Sequence, residues 1–222
     1  MPLSLHHAIE PVGEIGVWDI EEPEDWFLSR LDLKAPEAAQ LHKLKGRRRL
    51  EWLAARQLVH QMSGRRERVL FQKDEHGKPH LEDSPFQISI SHSHDKAAAI
   101  AAPEVVGIDI QHWVPKIERL AKRFLNASEL DHLATDPEER LFQLHVLWGA
   151  KESLYKAYGR RQLDFCQHMA IGPIDGEGRE GKVRGQVSKA AYQRQFSITY
   201  QSVGSYILVY AIAEPRTSHS KP

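Results

Sequence analysis

Apolar residues recur along this chain with two periods, and the changes between them predict a mixed order of elements. Residues 15–20 (IGVWDI) alternate as a short strand, and the acidic stretch 21–25 reads as a turn able to cap a helix after it. Over 36–62 the spacing becomes helical, with Leu41, Leu44, Leu50, Leu53, Leu58 and Met62 facing inward; Gly46 marks a break and Gly64 an end. Short strands are expected at 69–72, 87–91, 97–102 and 105–111, with turns at 74–79 and 93–96 and Pro103 joining the last two strands. Three strands in quick succession predict an antiparallel meander. Residues 115–125 place Ile117, Leu120, Ala121 and Phe124 on one helical face. A short helix begins near Ala127, capped by Asn126 or Ser128, with Glu129 in its first turn. The clearest helix covers 137–158, with Leu141, Leu144, Trp148 and Tyr155 on a stripe and Gly159 as its stop. Strands return at 195–201 and 206–213, and 214–222 reads as a frayed tail. No sequence repeat is visible.

Composition narrows the class. The chain has 222 residues, 41% hydrophobic and 27% charged, values that fit a globular protein. Lys plus Arg and Asp plus Glu both total 30, so the overall basic excess of a nucleic-acid binder is missing and any basic site must be local. Cys166 is the single cysteine, which excludes an internal disulfide and a Cys-rich zinc site and suits a reducing compartment. The first 20 residues lack a basic start followed by an apolar run, and no stretch approaches a membrane span. A cytoplasmic protein is expected.

Four clusters carry candidate chemistry. In the strand VGIDIQ, Ile108 and Ile110 face one way and Asp109 and Gln111 the other; a carboxylate beside an amide oxygen suits a hard cation, and Gly107 admits a close neighbour. On spacing alone a half-exposed strand explains the same pattern. In the helix segment WGAKESLYK, Glu152 and Lys156 stand four apart on one face, as a metal and phosphate pair or as an ordinary surface ion pair. In ISISHSH, the hydroxyls and imidazoles of Ser91, His92 and their neighbours sit at a strand end where phosphate oxygens can be gripped. Lys43, Lys45, Arg47, Arg48 and Arg49 crowd one helix start, and Lys73 and Lys78 flank a rigid turn. Charge runs are usually solvated, but Leu50, Trp52 and Leu53 come directly after and draw this one toward the core.

Taken together and in this order, the clusters resemble the 4′-phosphopantetheinyl transferase superfamily, and most closely its long, two-half, surfactin-synthetase-activating type. The resemblance rests on RRRLEWLAAR at 47–56, GKP at 77–79, SISHS at 89–93, GIDIQ at 107–111, AKRFLNASEL at 121–130 and WGAKESLYKAYG at 148–159. It implies an α+β fold: a pseudo-twofold pair of similar halves, each a small antiparallel sheet packed on a long helix. The divide would fall near Pro103, giving halves 1–103 and 104–222. It implies Mg²⁺ as cofactor, coenzyme A as co-substrate, an apo carrier protein as acceptor and a monomeric enzyme, with no nucleic acid and no membrane.

Residue by residue, the resemblance makes Asp109 and Glu152 metal-binding carboxylates, with Gln111 a third ligand where many members carry glutamate. It makes Lys156 a phosphate contact, and Glu152 or Glu129 the group that takes the acceptor proton. Ser91 and His92 would hold the nucleotide end of coenzyme A, and Lys73, Lys78 and one arginine of 47–49, here Arg48, would anchor its phosphates. A non-catalytic coenzyme A or carrier-binding module of the same fold is the competing reading. A nucleic-acid binder using KLKGRRR and a metal-dependent phosphohydrolase stand further off.

Overall fold

The computed structural model describes residues 3–10, 12–174 and 178–215. The expectation for the tail falls outside these residues from 216 onward. The first half holds strands β1 (Leu3–Ala8) and β2 (Glu14–Asp19), helices α1 (Glu24–Leu31), α2 (Ala35–His42) and α3 (Arg47–Ser63), then strands β3 (Phe71–Lys73), β4 (Pro79–Leu81), β5 (Gln87–Ser93) and β6 (Lys96–Ala102). The second half runs β7 (Val106–His112), a 3₁₀ turn (Pro115–Leu120), α4 (Ala121–Phe124), α5 (Ala127–Asp131), α6 (Pro137–Tyr158), α7 (Phe165–His168) and strands β8 (Met169–Ile171), β9 (Glu180–Lys189), β10 (Tyr192–Val203) and β11 (Tyr206–Ala213).

The strands form two antiparallel sheets, ordered β1-β2-β6-β5-β4-β3 and β7-β11-β10-β9-β8. Without β1, the two orders correspond strand for strand, and along the chain each long helix lies between the first and second strands of its set. The fold is therefore α+β, with a twofold repeat in topology that the sequence does not display. The apolar face of α3 (Leu53, Leu58, Met62) packs with Phe27 and Ile88 of the first half. The inner face of α6 (Leu144, Leu147, Leu154) packs with Val187, Phe196 and Ile198 of the second. A third cluster joins the sheets: Ile15, Val17 and Ile100 meet Ile108, Ile110 and Leu208.

The meander expectation is corrected here. β5 and β6 pair as a hairpin, but β7 pairs with β11 and belongs to the other sheet. Its apolar side, Ile108 and Ile110, is needed at the join between the sheets. The helix expected over 115–125 is a 3₁₀ turn followed by a single α turn, and the two pieces keep Ile117, Ala121 and Phe124 buried. By contrast α6 runs over the residues its periodicity marks. Asp136 caps it by accepting from the N–H groups of Glu138 and Glu139, and Gly159 ends it at φ 70°. No helix among the described residues is long and apolar enough to cross a membrane.

Candidate active site

The site begins with a close approach. A Cβ on Gly107 would lie 1.8 Å from the Ser153 carbonyl oxygen, so glycine lets β7 lie directly on α6. The next side chain on that face is Asp109, 7% exposed. Its Oδ1 accepts from Lys156 Nζ at 2.9 Å and from the Ser91 hydroxyl at 3.0 Å. Lys156 also donates to the Ile108 carbonyl at 2.8 Å and to Ser91 Oγ at 2.9 Å, so its three protons are all placed.

Glu152 stands one turn before Lys156 on α6 and faces Asp109. Burial, and then the negative charge of Asp109, push its carboxyl pKa up; Lys156 offsets part of this. Its carboxylate accepts no hydrogen bond among the described residues. Two carboxylates thus share one lysine, and the excess negative charge sits on oxygen donors suited to a hard divalent cation.

Gln111, the next residue on this face of β7, is turned elsewhere. Its Nε2 donates to the His145 carbonyl at 2.8 Å, and its Oε1 lies 3.0 Å from His145 Nδ1. His145 is sealed from solvent, and burial lowers its pKa, so the ring is neutral. Gln111 Oε1 can only accept, so Nδ1 donates to it, and Nε2 accepts the Val114 N–H at 3.1 Å with the Val114 carbonyl oxygen 3.2 Å away. The amide oxygen expected for a metal is therefore engaged by an imidazole.

Glu129 is held in a different network. One oxygen accepts from the Asn126 N–H at 2.9 Å in a capping box, and the other from the Ile171 N–H at 2.8 Å and from Lys151 Nζ at 2.7 Å. Lys151 also donates to the Phe165 and Met169 carbonyls and is 0% exposed. It neighbours Glu152 in sequence but projects from another face of α6. The motif's first lysine thus ties α5, α7 and β8 to the helix, a role that spacing alone did not separate from that of Lys156.

A cleft of about 500 Å³ opens beside Lys156. Arg48, Glu51, Trp52 and Arg56 line it from α3, and Lys73, Gly77 and Lys78 from the β3–β4 hairpin. His92 of β5 and Tyr155, Lys156, Arg160 and Arg161 at the end of α6 complete the wall used here. Glu51 is the only carboxylate among the described lining residues and sits 3.1 Å from His92 Nδ1. Of the three adjacent arginines, Arg48 faces the cleft. Arg47 donates to the His94 carbonyl, and Arg49 pairs with Glu24 and donates to the Leu41 carbonyl. Arg56 pairs with Glu37 and lies 3.2 Å over the Trp52 ring centre. Lys78 crosses between the halves to donate to the Ala157 carbonyl at 2.9 Å, near the C-terminal end of α6, and burial lowers its pKa. Arg160 and Arg161 carry no motif, and only the fold brings them to this wall.

The stretch that carries the paired carboxylates is similar in sequence to known proteins. Residues 105–211 match the sequence model of the 4′-phosphopantetheinyl transferase superfamily. The 4′-phosphopantetheinyl transferase psf-1 of Bacillus pumilus is 33% identical over 109 residues, 47% of this chain and 46% of the relative. The 4′-phosphopantetheinyl transferase gsp of Aneurinibacillus migulanus is 30% identical over 111 residues, 50% of this chain and 46% of the relative. The matched region spans about half the length of each of these relatives.

Proposed function

We propose that this protein transfers the 4′-phosphopantetheine group of coenzyme A to a serine of an apo carrier protein, in the presence of Mg²⁺, and releases 3′,5′-adenosine bisphosphate. One observation carries the reading: a cleft walled by cations, in a chain of zero net charge, is lined by Lys156, whose ammonium donates to Asp109 Oδ1. A polyanionic ligand such as coenzyme A matches that wall. The halves 1–103 and 104–222 divide the work, the first supplying phosphate anchors and the second the carboxylates. Both sets come from one chain, which supports a monomer, and the single cysteine suits the cytoplasm.

Arg48, Lys73 and Lys78 would anchor the phosphates of the nucleotide end, with His92 beside them, and Lys156 would meet the pyrophosphate. Asp109 and Glu152 would hold Mg²⁺, with water filling its other positions, and the ion when bound supplies charge neutralisation at the pyrophosphate. Gln111 does not fit as a ligand while its amide is engaged by His145. In the transfer, the serine oxygen bonds to the phosphorus that carries pantetheine, and the bond from that phosphorus to the bridging oxygen breaks. Glu152, or a water it orients, takes the serine proton. Glu129 is the weaker candidate, since both of its oxygens are already engaged.

The commitment of Gln111 favours one rival, a non-catalytic module that binds coenzyme A or a carrier. The test is to incubate the protein with Mg²⁺, coenzyme A and an apo carrier and weigh the carrier. Gain of one phosphopantetheinyl group supports transfer. An unchanged carrier that co-elutes with the protein supports the module instead.

A further inference from the structure

The motif SISHS has a use beyond ligand binding. β5 and β7 belong to different sheets yet run side by side, and serine hydroxyls join them. Ser89 Oγ accepts the Ile108 N–H at 3.1 Å, Ser91 Oγ the Ile110 N–H at 3.2 Å and Ser93 Oγ the His112 N–H at 3.3 Å. β7 pairs with β11 along one edge only, so its alternate N–H groups on the other edge need acceptors. Serines two apart on a neighbouring strand supply them at the matching period.

Ser91 differs from the other two. Its hydroxyl accepts from Ile110 and from Lys156 and donates to Asp109 Oδ1. A hydroxyl has two lone pairs and one proton, and here all three are used. With the lone pairs filled by an N–H and an ammonium, the proton has one outlet, the carboxylate. The residue is 6% exposed. The hydroxyl is thus fully engaged within the join.

We propose that Ser91 is a positioning residue that holds Asp109 and Lys156 in register across the join. This rests on the transferase reading of the site. The bond from a first-half strand to a second-half carboxylate makes the geometry of Asp109 depend on how the halves sit together. Ser91 and Lys156 both fall on Oδ1, so the carboxylate is fixed in rotation while Oδ2 accepts no hydrogen bond among the described residues.

The test compares Ser91→Ala, Ser91→Thr and Ser93→Ala with the parent. Ser93→Ala removes the same kind of join bond without touching Asp109 or Lys156. The readouts are kcat and KM for coenzyme A, and Mn²⁺ binding to the enzyme alone followed by electron paramagnetic resonance. Ser91→Ala is expected to lower kcat about ten- to hundred-fold with KM for coenzyme A within about two-fold, and to weaken Mn²⁺ binding several-fold. Ser91→Thr keeps the hydroxyl and should recover most of kcat; Ser93→Ala should lose thermal stability while keeping kcat.

A raised KM for coenzyme A at unchanged kcat would return Ser91 to ligand binding. An equal fall in kcat for Ser93→Ala would make Ser91 one of three interchangeable struts. Either overturns the proposal. Should Ser91→Ala fail to fold, Ser91→Cys keeps the shape with a weak donor and should show the same kcat loss; parent-like kcat there overturns the proposal too. If the parent modifies no carrier, the transferase reading fails by itself, and the Mn²⁺ comparison still decides whether Ser91 sets Asp109.

Discussion

Gly107 meets the Ser153 carbonyl with no room for a side chain: an added Cβ would sit 1.8 Å from that oxygen. This contact brings the face of β7 that carries Asp109 against the face of α6 that carries Glu152 and Lys156. The corresponding glycine of the first half, Gly16, faces α3 instead. Its nearest neighbours would be Leu58 Cδ1 at 2.9 Å and Met62 Sδ at 3.0 Å. The ends of flexible side chains can move and a helix backbone cannot. Gly107→Ala is expected to cost at least about 3 kcal/mol, and Gly16→Ala less than about 1.5 kcal/mol. Urea unfolding of both variants measures the difference; equal costs would contradict the packing argument.

The two glutamates near Lys151 should separate in a stability assay. Glu129→Gln leaves the buried Lys151 ammonium without its counter-charge, at a cost of about 3–5 kcal/mol. The folded fraction should retain transfer.

Glu152→Gln should do the reverse: abolish transfer and spare the fold. A carboxyl whose pKa is raised on folding stabilises below its unfolded value and loses that contribution as pH rises through the folded value. In metal-free buffer the parent should therefore lose stability relative to Glu152→Gln as pH rises above the ordinary carboxyl value of about 4.3. Melting curves from acid to neutral pH, with a chelator present, check the sign.

Gln111→Ala removes both partners that its amide gives His145. About 1–3 kcal/mol of stability should go, because the buried His145 ring loses its Gln111 partner. Mn²⁺ affinity should stay within about three-fold of the parent. A variant that keeps its stability and loses the metal would make Gln111 a ligand after all.

The adjacent arginines should split in the same way. Arg48→Ala is expected to raise KM for coenzyme A about five- to twenty-fold with an unchanged melting temperature. Arg49→Ala should lower the melting temperature, since Arg49 holds Glu24 and the Leu41 carbonyl. Steady-state kinetics beside a thermal melt distinguishes them.

Legibility in the sequence depends on how local each feature is. The bounds of α6, the Asn126 cap and the two faces of GIDIQ are set within one element, where periodicity and capping chemistry act directly. β9 escapes notice because its inward positions are Val183, Gly185 and Val187. The glycine hides the alternation, and Ile198 Cδ1 would lie 2.5 Å from its missing Cβ. β1 escapes because most of its residues are exposed. Asp109 and Glu152 stand out as residue types, but their meeting depends on β7 leaving the first sheet, which no local pattern signals. The serine ladder is likewise a relation between two strands, visible in the sequence only as an unexplained period of two. Lys151 and Lys156 look alike in a motif, and only the helix face separates a buried tie from a site cation.

The most direct measurement is the rate at which an apo carrier gains mass with the parent protein and with Asp109→Asn and Glu152→Gln, in Mg²⁺ and in chelator. Two carboxylates serving one cation predict fast modification by the parent in Mg²⁺ and none by either variant or in chelator. Undiminished modification by either variant would contradict it.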